Sequence, residues 1–99
     1  MDYKRALQTW LEIYETTKDE RTKKIASNHL YNIKATIDIE KINEAIEKFK
    51  ERYDRNPMEL SQLVRAGFLD YLPKDLDGEE YIYDSRTGEV KPPTIPWKR

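Results

Sequence analysis

The side chains whose types and spacing could do chemistry are His29 and an acidic series, Asp70, Asp75, Asp77, Glu79, Glu80 and Asp84. An imidazole acting as a general base needs an oriented partner and a substrate pocket within hydrogen-bond reach. His29, the only histidine, falls on the apolar stripe of a helix beside Leu30 and reads as a half-buried structural residue. Oxygen-rich loops bind calcium, and Asp75-Leu76-Asp77-Gly78 has the look of part of an EF-hand loop. Aligning Gly78 with the loop glycine, however, puts Pro73 at the first ligand position and Asp84 at the last, where a bidentate Glu is wanted. The series therefore reads as a solvated turn, with Asp75, Asp77, Glu79 and Asp84 as the groups that would hold a cation. No phosphate loop, Ser-His-Asp set or paired carboxylate pattern is present. No catalytic residue and no cofactor are assigned, and the chain is not expected to be an enzyme.

Composition narrows the classes further. Eighteen basic residues against 19 acidic ones leave a net charge of −1, without the basic field that recruits nucleic acid. Cysteine is absent, which excludes disulfides, thiolate catalysis and cysteine-ligated zinc. Apolar runs are too short to span a bilayer, so no direct membrane insertion by this segment is expected. Met1-Asp2-Tyr3-Lys4 leads straight into a charged amphipathic segment, which is not the pattern of a signal peptide. The composition is 37% charged with a mean hydropathy of −0.96, but the apolar residues fall periodically, so a folded domain is expected.

The elements that must position these groups follow from that periodicity. Tyr3, Leu7, Trp10 and Tyr14 recur on one face of a first helix, with Asp2 as its N-cap. A second helix is expected from about Asp19 to Ala35, its stripe marked by Ile25, Ala26, His29, Leu30, Ile33 and Ile37. Thr36-Ile37-Asp38 reads as a break, with Asp38 capping a third helix from Ile39 to Tyr53. The stripe of that helix is Ile39, Ile42, Ala45, Ile46, Phe49 and Tyr53. Asn56-Pro57 ends it, because residues before proline disfavour helical angles. A short fourth helix follows over Met58–Ala66, with Gly67 as its left-handed cap and Phe68 folding back. Tyr81-Ile82-Tyr83 and Glu89-Val90-Lys91 read as two strands around the turn Asp84–Gly88. Pro92-Pro93-Thr94-Ile95-Pro96-Trp97 is polyproline-like. The expected class is α+β, mainly helical with a small C-terminal β-hairpin. The expected core is Leu7, Trp10, Ile25, Leu30, Ile33, Ile42, Ile46, Phe49, Leu60, Leu63, Phe68, Leu72 and Tyr81.

The tract from Pro57 through Leu60, Leu63, Gly67, Leu69, Leu72-Pro73, Asp75 and Gly78 to Tyr81 and Tyr83 resembles the soluble part of type II secretion major pseudopilins. Those proteins carry a Tyr-Pro start, a short helix ending in glycine, a Leu-Pro-x-Asp-Pro-Trp-Gly turn and a Tyr-x-Tyr strand. The resemblance covers about residues 39–91. Leu76 and Asp77 stand where the family has Pro-Trp, and the apolar assembly segment and longer calcium loop of the family have no counterpart here. Residues 3–35 resemble a tetratricopeptide-like helical hairpin, an arrangement similar to bacterial repeat proteins that end in such a unit.

Together these readings give a single domain over 1–99: a hairpin at 1–37, a pseudopilin-like unit at 38–91 and a Pro-rich tail at 92–99, at the C-terminal end of a longer protein. The resemblance implies a non-catalytic protein-interaction or assembly module of a bacterial envelope, secretion or pilus-related system. An extracytoplasmic, periplasmic location, tethered through a preceding region, is preferred over the cytoplasm. Its partner would be a protein, met by a surface containing Tyr71, Trp97, Tyr3 and Tyr14. The alternative is a small metal- or ligand-responsive domain using the acidic turn at 75–84.

Overall fold

A computed structural model describes residues 2–93. Trp97 and the end of the Pro-rich tail lie outside the described residues. The elements in chain order are helices α1 (Tyr3–Thr16), α2 (Glu20–Tyr53) and α3 (Ser61–Arg65), then strands β1 (Ile82–Asp84) and β2 (Glu89–Lys91). The described residues divide into two compact units, 2–37 and 38–93, and α2 contributes to each. The class is the expected one, mostly helical with one two-stranded antiparallel sheet.

In the first unit, Asp2 caps α1 as its position predicts, accepting from the Arg5 amide at 3.1 Å. Asp19 does the same at the start of α2. Its carboxylate accepts from the Thr22 hydroxyl at 2.7 Å and the Arg21 amide at 3.3 Å, and these bonds hold its pKa below the ordinary value. Ala26 and Leu30 are buried, whereas no residue of α1 is; Leu7 and Trp10 are half-buried. Ile25, expected in the core, is 46% exposed. Ala26, the next member of the expected stripe, faces the core, so the neighbouring Ile25 side chain points outward.

The expected break at 36–38 is absent. One 34-residue helix replaces the separate second and third helices. Thr36 and Asp38 have other uses for their polar groups than interrupting it. The Thr36 hydroxyl donates to the Asn32 carbonyl one turn back at 2.9 Å, a bond a helix tolerates in its interior. Asp38 caps nothing. It is 4% exposed, and its carboxylate accepts a 2.6 Å hydrogen bond from the Tyr81 hydroxyl.

In the second unit Ile42, Ala45, Ile46 and Phe49 of the expected stripe are buried, together with Leu63, Tyr81 and Val90, whereas Ile39 is half-buried and Tyr53 is 45% exposed. Phe49 meets Tyr53 with ring centroids 4.6 Å apart and meets Phe68 edge-on at 6.2 Å. Helix α2 ends at Asp54, whose φ of 57° is left-handed, before the buried Pro57. The Glu59 and Leu60 carbonyls accept i→i+3 bonds rather than helical ones, and the Met58 amide donates to the Gln62 side chain, so α3 is shorter than its periodicity predicts. Gly67, at φ 85°, closes α3: its amide reaches the Val64 carbonyl and the Phe68 amide reaches the Leu63 carbonyl. This pair of bonds is the Schellman motif.

The strands pair Ile82 with Lys91, Tyr83 with Val90 and Asp84 with Glu89. An isolated two-stranded hairpin is marginal in water, so this one needs anchors. Three hydrogen bonds provide them: Tyr81 to Asp38, the Tyr83 hydroxyl to the Pro57 carbonyl at 2.7 Å, and the Asn56 amide to the Ser85 carbonyl at 3.3 Å. Gly88 is required at this docking. Its φ is 75°, and a Cβ there would lie 3.2 Å from Asn56 Oδ1.

Candidate functional site

The turn at 74–80 is organised by one carboxylate. Asp75 Oδ1 accepts from the amides of Asp77 and Glu79, each at 2.9 Å, and the Asp75 amide donates to the Glu79 carbonyl. A bridge between Lys74 and Glu80 closes the loop. The second oxygen, Asp75 Oδ2, is buried without a hydrogen-bond partner. Asp84 is occupied by its own turn, accepting from the Arg86 amide at 2.9 Å with the Arg86 guanidinium 3.8 Å away. Among the described residues, no three carboxylate, histidine or cysteine side chains gather closely enough to hold a metal ion. The four candidate ligands Asp75, Asp77, Glu79 and Asp84 are therefore not brought together with others into a cation cage.

His29 is exposed, more so than expected, and its ring lies flat on Trp10, with centroids 4.0 Å apart and planes 10° from parallel. The imidazole is thus a packing partner of the hairpin.

The expected interaction residues among those described are divided between the two units. Tyr14 belongs to the first unit, with Lys23 Nζ 5.0 Å from its ring centroid, and Tyr3 is half-buried there. Tyr71 belongs to the second unit and is 61% exposed beside a shallow hollow with Lys41 and Phe68.

The second unit holds a groove that the sequence reading missed, of about 460 Å³. Leu60, Ser61, Leu72 and Pro73 line it. Tyr81 and Tyr83 line it too, with Met58, which is 69% exposed. Glu59 and Glu80 are its charged lining groups. Leu60, Leu72 and Tyr81 had been expected simply as core. Of these three only Tyr81 is buried; the two leucines are half-buried and line the groove.

Both phenols are committed inward, one to Asp38 and one to the Pro57 carbonyl. Burial, the hydrogen bond from Tyr81 to Asp38 and the nearby Asp38 and Asp75 charges push the Tyr81 pKa far above the usual tyrosine value. Burial, then the Asp84 charge, raises that of Tyr83. Neither hydroxyl is poised to act as a base at neutral pH. The groove offers apolar contact, two carboxylates and a hydrogen-bonded framework. No family model, no curated protein and no solved structure matches this chain.

Proposed function

We propose that this chain is a non-catalytic protein-interaction and assembly module, and that the groove bounded by residues 58–61, 72–73 and 80–83 is its binding face. The observation that carries the reading is that the groove combines hydrogen-bonded tyrosines with an exposed methionine in its lining. Tyr81 and Tyr83 are fixed by hydrogen bonds, so little ordering is needed on binding. Methionine is flexible and polarisable, a side chain suited to varied apolar contacts, and Met58 is largely exposed. A bacterial envelope or secretion-related setting rests on the pseudopilin-like tract from Pro57 to Tyr83. Placing a photo-crosslinking amino acid at position 58 in native cells tests the module. A single protein partner, lost when Leu72→Asp blocks the groove, supports it. Crosslinks no different from those at a distant control such as position 47 would sink it.

The cation-responsive reading of the acidic turn has one atom in its favour, the buried and unpartnered Asp75 Oδ2. Calcium titration followed by amide NMR decides it: saturable shifts at Asp75, Asp77 and Glu79 support the cation site, and their absence at millimolar calcium removes it.

A further inference from the structure

The charge of the groove narrows its occupant. Its charged lining residues, Glu59 and Glu80, are both acidic, and its remaining lining is apolar or neutral. Glu59 is partly compensated: its Oε2 lies 3.8 Å from an Arg65 nitrogen and accepts from the Ser61 hydroxyl at 2.9 Å. Glu80 is exposed, and Lys74, opposite it in the bridge, does not line the groove. With Leu60, Leu72, Pro73 and two tyrosines in its lining, the groove offers apolar contact to an aliphatic side chain, and its volume is within the size range of small-ligand clefts. A cation beside that side chain would meet Glu80 directly and compete with Arg65 for Glu59.

We infer that the groove selects a short peptide segment carrying a leucine-like side chain flanked by lysine or arginine. This rests on the proposed interaction role and adds to it the chemistry of the partner. Aliphatic burial supplies the attraction, and the carboxylates reject acidic segments, anionic lipid surfaces and nucleic acid by like charge.

The test uses three capped peptides on the full chain, followed by amide NMR and fluorescence polarisation. They are Ser-Lys-Leu-Lys-Ser, Ser-Glu-Leu-Glu-Ser and Ser-Lys-Gly-Lys-Ser. The first should shift the amides of Ser61, Leu72, Glu80 and Tyr83, with a Kd on the order of 0.1–1 mM. The other two should leave these amides in place at the same concentration. Glu80→Lys, an exposed change, should weaken binding about fivefold. Arg65→Ala should tighten it about twofold, by freeing Glu59. Equal response to the acidic peptide, shifts outside the groove, or weakening by Arg65→Ala overturns the inference. So does silence toward all three peptides. If the position-58 crosslink to a protein persists in any of these cases, the partner chemistry is wrong while the interaction role stands; loss of both removes both.

Discussion

The Tyr81–Asp38 hydrogen bond is the residue-level contact from which most follows. Its length of 2.6 Å and the 4% exposure of Asp38 put a carboxylate inside the second unit with a phenol as one of its donors. Tyr81→Phe keeps the ring and removes the donor, and should cost about 1–3 kcal/mol in urea unfolding at pH 7. The phenol also sets an alkaline limit. Its folded pKa is raised, so the folded state keeps the proton that the unfolded chain loses above about pH 10. The contribution is intact below that pH and falls by about 1.4 kcal/mol per pH unit above it, for each phenol held protonated. Wild type should therefore lose stability between pH 10 and 11 more steeply than Tyr81→Phe; equal slopes would contradict the assignment. Gly67 offers a cleaner backbone test, since no atom lies within 4 Å of an added Cβ. Gly67→Ala should cost about 1–2 kcal/mol from the left-handed φ alone, read as a lower melting temperature.

At the scale of elements, α2 is the instructive case. If Asp38 capped a new helix, proline at position 39 would occupy a first helical position and be tolerated. In a continuous helix Ile39→Pro removes a hydrogen bond and clashes with the preceding turn, costing about 3 kcal/mol or more. Circular dichroism and urea unfolding of that variant separate the two. The break was misread because Thr36, Ile37 and Asp38 are poor helix formers, and a cap and a buried acceptor look alike in sequence. The partner that settles the role of Asp38 lies 43 residues away, beyond the reach of local pattern. The α3 cap, the hairpin and the stripe from Ile42 to Phe49 were legible because glycine placement and 3.6-residue spacing are local. The groove was not, since its walls come from segments 58–61, 72–73 and 80–83, joined only by folding. The acidic turn was legible as a turn; that Asp75 uses one oxygen to hold its own loop amides was not.

For the molecule as a whole, a 99-residue chain commands about 5–15 kcal/mol of total stability. Phe49 is 3% exposed, packs on Tyr53 within α2 and joins the helix to Phe68. Phe49→Ala should remove about 3–5 kcal/mol, a large share of that margin, and lower the urea midpoint accordingly. The three ion pairs of Glu59, Asp84 and Glu89 are surface pairs between near neighbours, so raising salt to 1 M should move the midpoint little. The long separation between Asp38 and Tyr81 also has a kinetic meaning. Helical contacts form early because their loops are short, whereas bringing Tyr81 to Asp38 requires closing a long one. The hairpin should then dock after the rate-limiting step. Tyr81→Phe should steepen nothing in the refolding limb of a chevron and raise the unfolding rate by nearly the full equilibrium loss, so that this one phenol governs how long the folded state lasts rather than how fast it is reached.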